Sequence, residues 1–180
     1  MTETIRYASG LSSLGEFLLA TSERGLVALE FGDGGSSLIS GLSRRFPAAK
    51  LSEDRRGLEA LVQRAARLIE RPAVAAGCAV DMRGSEFECE VWSALQEIPA
   101  GRTLSYLELA CRLGGGPQLA RQVGEACAAN PLAVVIPCHR VLKKDGSLSG
   151  YRWGTWRKRL LLEREYLDNF SLLPLQEQLA

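Results

Sequence analysis

Pro137, Cys138 and His139 stand together in the chain, and His139 is the only histidine among its 180 residues. A cysteine attacks carbon as a thiolate, and a free thiol with a pKa of about 8.5 is mostly neutral at pH 7, so a nearby base matters. The apolar run Leu132-Ala133-Val134-Val135-Ile136 leads in and reads as a buried segment. Pro137 removes a backbone donor and restricts φ, so the chain is expected to leave regular structure at Cys138, where a thiol can face a cleft. Successive side chains of an extended segment point to opposite sides. Direct contact between Cys138 and His139 is therefore not expected, and a water is the natural bridge. By residue type alone the blander reading is inert packing, because cysteine is among the most buried residues. A cysteine hydrolase would need a histidine brought to the thiol from elsewhere in the chain. The sole histidine adjoins the cysteine instead.

The surroundings sharpen this reading. Ala128-Ala129-Asn130-Pro131 precedes the run, and Gly146-Ser147-Leu148-Ser149-Gly150-Tyr151-Arg152-Trp153-Gly154 follows it. Together with Pro137-Cys138-His139-Arg140-Val141, these segments resemble the acceptor site of the O6-alkylguanine-DNA alkyltransferases, or methylated-DNA–protein-cysteine methyltransferases. The nearest pattern is the C-terminal half of the Ada-type repair proteins. The resemblance is dense from about residue 82 to 165 and looser from about 5 to 80.

That resemblance implies a function: irreversible transfer of an alkyl group, methyl above all, from O6-alkylguanine in double-stranded DNA to Cys138. It leaves O4-alkylthymine open as a second substrate. It implies that His139 activates the thiol through water and that Glu165 orients His139, with Glu163 the alternative carboxylate. Asn130 would hold the turn under the cysteine, in addition to a possible role as helix C-cap. Tyr106 matches the tyrosine whose hydroxyl reaches the base, and the backbone near Cys138, Val141 and Arg152 matches the pocket lining. Arg121 matches the arginine that fills the space left by a flipped-out nucleotide, since a stacked base is out of reach. No cofactor and no metal are implied, and each molecule acts once. The competing reading is a non-catalytic, lesion-binding alkyltransferase-like protein. Those proteins lack the acceptor cysteine that Cys138 supplies. The sequence carries no Cys-rich sensor segment, so a transcription-regulating role is not expected of it.

Composition agrees with a globular chain of one domain or two small ones: 46% hydrophobic and 24% charged residues. No basic-then-apolar N-terminal signal and no membrane-length apolar stretch are visible. Five cysteines without Cys-x-x-Cys spacing, beside one histidine, give poor support to a zinc site. Reduced thiols and a cytoplasmic monomer are the expectation. The net charge of +1 hides an asymmetry, for residues 101–160 hold ten lysines and arginines against three acidic residues. A basic segment around a reactive cysteine suits an anionic partner such as DNA.

The elements that must position these residues read as α+β. A scaffold domain over 1–80 is expected to hold a small antiparallel sheet with helices. Strands are predicted at 16–21 and 25–31 about a turn at Ser22-Glu23-Arg24, with Ile5 to Ala8 a candidate third. A break follows at Asp33-Gly34-Gly35. Helical spacing follows in Leu38, Ile39, Leu42 and Phe46, then in Leu58, Leu61, Val62, Ala65, Leu68 and Ile69. After a connector near 71–77, a mostly helical DNA-binding and acceptor domain is expected over 81–180. Ser85-x-x-Glu88 and Ser105-x-x-Glu108 are capping boxes that open helices. The second box starts a short helix to about Leu113. Gly114-Gly115-Gly116-Pro117 is a turn, and a further helix runs from about Gln118 to Ala129. That pair reads as a helix-turn-helix, with its second helix the DNA-contacting one. A last helix, about Thr155 to Leu167, is expected to turn Arg157, Lys158 and Arg159 outward and Leu160, Leu161 and Leu162 inward.

Overall fold

The computed structural model describes residues 2–32, 34–74 and 76–171. Asp33, part of the predicted break, Ala75 in the connector and the tail 172–180 lie outside the described residues. Among the described residues the fold is α+β, with six helices and two small sheets.

Three strands come first: β1 (Thr4–Ser12), β2 (Gly15–Thr21) and β3 (Leu26–Phe31). The predicted turn closes β2 onto β3, with Ser22 N–H donating to Gly25 C=O at 2.9 Å. Helix α1 (Gly35–Arg45) leads to β4 (Lys50–Glu53), and α2 (Glu59–Glu70) follows. The sheet order is β3-β2-β1-β4. The antiparallel expectation holds for β1–β2 and β2–β3 but needs correction at the edge, where β4 runs parallel to β1. Helix α1 is the crossover that returns the chain in the same direction. Four residues, Lys50-Leu51-Ser52-Glu53, are too short and too polar to give a strand signal in sequence.

Both faces of the sheet are covered, so β2 and β3 are buried almost throughout. Leu18, Ala20, Val27 and Ala28 pack with Leu38, Leu42 and Phe46 of α1 and its C-cap. On the other face Phe17, Leu19, Leu29 and Phe31 share a larger cluster with α2 and with Trp92, Leu95, Val123 and Leu161 from the second half of the chain. Both faces being apolar explains why the sequence reads here as continuous hydrophobic runs rather than alternation.

The second half contains α3 (Glu86–Gln96), β5 (Leu104–Ser105), α4 (Tyr106–Arg112), α5 (Pro117–Ala129), a 3₁₀ turn at Cys138–Arg140, β6 (Val141–Leu142) and α6 (Thr155–Ser171). Both capping boxes form reciprocally, at Ser85/Glu88 and Ser105/Glu108. Helix α5 begins on Pro117, whose missing N–H costs nothing in the first turn. Strands β5 and β6 pair in parallel, Leu104 against Val141 and Ser105 against Leu142. The start of α4 is thereby pinned beside the residue that follows the Cys138 turn.

Strand β3 anchors the segment that precedes the cysteine. Leu29 N–H donates to Pro131 C=O at 2.9 Å, and Ala133 N–H donates to Leu29 C=O at 2.8 Å. All ten residues from 131 to 140 are buried.

The prediction for α6 fails at Arg157 and Lys158. Both are buried, and of the three consecutive cations Arg159 alone is exposed. At 100° per residue a helix cannot keep three successive side chains on one face. Arg157 Nε instead donates to Leu14 C=O at 2.8 Å, and its guanidinium lies over the rings of Phe31 and Trp156. Leu161 is buried as expected, while Leu160 and Leu162 are half-buried.

Candidate active site

Cys138 is 5% exposed and lines a pocket of about 370 Å³. Its other walls are Tyr106, Gly124, Cys127, Ala128, Gly150, Tyr151 and Arg152. A larger cavity of about 430 Å³ lies against Pro137 and Arg140 and reaches Cys78 rather than Cys138. Chemistry rather than size selects the first of these.

The thiol is held from below. Asn130, fully buried at the C-cap of α5, donates from Nδ2 to Ile136 C=O at 3.0 Å and to Cys138 Sγ at 3.2 Å. Its Oδ1 accepts from Leu132 N–H at 2.8 Å. One side-chain amide thus joins the end of α5 to the turn that carries the thiol, while the backbone N–H of the same residue bonds to Cys127 C=O at the helix C-cap. Val134, inside this tethered segment, has φ of +66°. That left-handed conformation is costly for a β-branched residue and persists only where the surroundings impose it. Burial pushes the Cys138 thiol up, opposed by the Asn130 hydrogen bond and the Lys158 charge.

His139 is fully buried, and the 3₁₀ turn rather than an extended segment sets its direction away from Cys138. Nε2 pairs with Glu165 Oε1 at 2.8 Å. Nδ1 is buried and has no hydrogen-bond partner among the described residues. Glu165, also fully buried, comes from α6. Burial alone would raise its pKa, but hydrogen bonds from His139, Arg140 and the Gly101 N–H hold it at about 2. An ionised carboxylate only accepts, so Nε2 carries the proton and Nδ1 keeps its lone pair. Burial lowers the His139 pKa, with Glu165 pulling the other way, which keeps the imidazole neutral and basic. Glu163, the alternative carboxylate, is exposed.

Arg140 is the largest omission from the sequence-predicted set. Its Nε and Nη2 donate to Glu165, at 3.0 and 2.8 Å to Oε1, and Nη1 donates to Ile98 C=O. The buried carboxylate therefore answers a buried guanidinium as well as the imidazole. Ser149 and Lys158 were missed too. Lys158 is fully buried, and its Nζ donates to Val141 C=O and to Ser149 Oγ, both at 2.6 Å. The Arg-Lys-Arg run gave no sign of this, since it reads as a solvated face.

Tyr106 opens α4 inside its capping box, and its hydroxyl sits 2.7 Å from Ser149 Oγ. Burial raises its pKa, so the phenol stays protonated. Arg152 stands at the pocket rim, with Nη2 3.3 Å from Glu30 Oε2 on β3. Val141 is fully buried and is not among the lining residues, its carbonyl being taken up by Lys158. Arg121 lies outside the pocket. It projects from α5 with its side chain 88% exposed and pairs with Glu125 at 3.1 Å. Of the ten cations in 101–160, Arg140, Arg157 and Lys158 are buried, which leaves seven to form a basic surface.

A buried thiol, an imidazole held by a carboxylate, and a phenol thus lie in and behind one small pocket beside a two-helix hairpin. Comparison with known proteins identifies the family. The model of the 6-O-methylguanine DNA methyltransferase DNA-binding domain matches residues 86–167. The inducible methylated-DNA–protein-cysteine methyltransferase of Bacillus subtilis (strain 168) is 41% identical over 122 residues, 68% of each chain. The bifunctional transcriptional activator/DNA repair enzyme Ada of Escherichia coli (strain K12) is 44% identical over 161 residues, 89% of this chain and 45% of that protein. Among solved structures, Mycobacterium tuberculosis OGT in complex with DNA superposes with a TM-score of 0.75 at 32% identity, covering 97% of this chain and 98% of that one. The chain belongs to the methylated-DNA–protein-cysteine methyltransferase family. It spans about half the length of the Ada proteins it matches.

Proposed function

We propose that the protein repairs double-stranded DNA by moving the alkyl group of O6-alkylguanine, methyl above all, irreversibly onto Cys138. The observation that supports this most directly is the constellation in and behind one pocket: Cys138 tethered by Asn130, with His139 and Glu165 at 2.8 Å behind it and Tyr106 at the wall. A water between Cys138 Sγ and His139 Nδ1 takes the thiol proton to the imidazole. The thiolate attacks the alkyl carbon, the C–O6 bond breaks, and its electron pair passes to the purine. The Tyr106 hydroxyl donates to the departing base, where charge develops. Arg152 at the rim, with the backbone around Cys138 and Val141, shapes the site. The product is a thioether, and no group at the site would cleave it, so each molecule acts once.

Residues 1–80 act in this reading as scaffold, and 81–180 as the DNA-binding and acceptor unit. Helix α5 enters the groove with the exposed cations of the 101–160 segment against phosphates. Arg121, free to leave its exposed partner Glu125 at little cost, fills the space of the flipped nucleotide. Neither cofactor nor metal takes part. The protein works as a cytoplasmic monomer, and no described helix is long and apolar enough to cross a membrane. The test is peptide mass spectrometry after reaction with excess O6-methylguanine DNA. The expected result is one added methyl group, on the peptide holding Cys138, with a plateau at one equivalent. Cys138→Ser should transfer none yet still bind DNA, because phosphate contacts do not need the thiol. Multiple turnover, or methylation of another cysteine while Cys138 stays free, would overturn the reading.

A further inference from the structure

We propose that the cavity between the start of α2 and one end of the four-stranded sheet is a binding site for a small phosphate, separate from the acceptor pocket.

The cavity measures about 420 Å³. One row of the sheet forms its floor. Thr21, the last residue of β2, pairs with Arg6 of β1 and with Leu26 of β3, and all three line the cavity. Alternation along β2 puts Thr21 on the same face as Phe17 and Leu19, the face that α2 covers. Thr21 is 7% exposed, and its hydroxyl is buried with no hydrogen-bond partner among the described residues. Buried hydroxyls are nearly always satisfied, so an unpaired one at a cavity wall points to a ligand.

The facing wall is the N-terminus of α2. Leu58 at its N-cap has no side-chain oxygen to offer the first turn. Leu58 N–H donates to Asp54 C=O and Glu59 N–H to Arg56 C=O, and the helical ladder begins with Val62 N–H to Leu58 C=O. Between them, the N–H groups of Ala60 and Leu61 have no partner among the described residues, and both residues line the cavity. Unpaired donors at the positive end of a 12-residue helix suit an oxyanion.

Arg6, Arg24 and Arg64 also line the cavity. Arg6 pairs with Asp54 at 3.0 Å and Arg24 with Asp81 at 2.9 Å, while Arg64 gives Nη1 to Gly77 C=O. Each guanidinium keeps further donors after that single bond. Glu23, which is exposed, is the one acid among the lining residues, and Glu59 of the first turn is exposed outside them. Donors thus converge from the helix, the sheet and the side chains. A planar carboxylate cannot meet three directions at once, and a tetrahedral phosphate can. Inorganic phosphate and the phosphate of a small ester share this chemistry.

Amide spectra of the full chain, recorded as inorganic phosphate is added at constant ionic strength, test the site. Sodium chloride is the control, and glycerol phosphate is the ester. Ala60 and Leu61 should shift along one saturable curve with phosphate and stay still with chloride; the tighter of the two phosphates identifies the source. Arg64→Gln should weaken binding by about tenfold, the size of one hydrogen bond to a charged group. Thr21→Val should melt no lower than wild type without phosphate, because the hydroxyl it removes has no partner. The rise in Tm that phosphate gives should shrink in that variant and persist in Thr21→Ser. Shifts matched by chloride, an undiminished response in Arg64→Gln, or shifts seen only with duplex DNA would overturn the site. So would a Thr21→Val protein that melts well below wild type without phosphate.

Discussion

Replacing Glu165 by glutamine tests the buried core of the site. The carboxyl pKa falls from 4.5 to about 2 on folding. At roughly 1.4 kcal/mol per unit, the ionised group stabilises the folded state by about 3 kcal/mol at neutral pH. A second route gives a similar size. Arg140 is nearly buried and holds Glu165 Oε1 at 2.8 Å, and removing one partner of a buried pair costs about 3–5 kcal/mol. The sign is that of a depressed acid. The contribution is present above pH 4.5 and is lost as pH falls toward 2, with about three-fifths gone by pH 3. Urea unfolding of wild type and Glu165→Gln from pH 7 to pH 3 reads this directly. We expect the variant to be about 3–5 kcal/mol less stable at pH 7, and the gap to narrow steeply below pH 4.5. Other carboxylates are common to both proteins and cancel in the difference. Parallel stability curves, or a gap under about 1 kcal/mol at pH 7, would refute the view that one ionised carboxylate locks both His139 and Arg140.

Three further outcomes follow from the same geometry. Arg121→Ala should slow repair of duplex DNA much more than reaction with free O6-benzylguanine, and equal slowing would count against the space-filling role. Asn130→Ala strands Leu132 N–H in the core, whereas Ile136 C=O keeps its bond from Cys138 N–H; at about 1–3 kcal/mol for one unmet group, thermal unfolding should show a loss of about that size. Because burial lowers the His139 pKa below 6.5, the base form persists into mild acid. The single-turnover rate should be flat above pH 6.5 and fall only on the acid side of it.

Local signals were legible where one residue type has one physical job. The Ser-x-x-Glu boxes placed the starts of α3 and α4 because an orphan N–H there has few other partners. Pro117 and the glycines before it placed α5. Asn130, His139 and Glu165 are legible in the sequence, and the structure brings all three to the Cys138–Arg140 turn. Resemblance rather than periodicity marks them, for a lone glutamate on a helix ordinarily reads as solvated. What stayed hidden is long-range. The parallel pairing of β4 with β1 spans more than forty residues and leaves no local pattern. The capture of Glu165 by Arg140, 25 positions away, leaves none either.

Helix α6 shows why charge alone misleads. Lys158, Leu161 and Glu165 fall at i, i+3 and i+7, one stripe of the helix, and all three are buried. An apolar stripe would have been recognised at this spacing, but here its two ends are a cation and an anion. The cation holds Val141 C=O and Ser149 on the pocket side of the acceptor turn, and the anion holds His139 and Arg140 within that turn. Each charge is unaffordable in the core by itself and is retained because the turn presents matching polar groups. The same helix therefore supports two parts of the site, the imidazole held by Glu165 and the hydrogen-bonded chain from Lys158 through Ser149 to Tyr106. Their separation along one rigid element, seven residues at about 1.5 Å each, keeps the two ends apart while fixing both against a single cysteine.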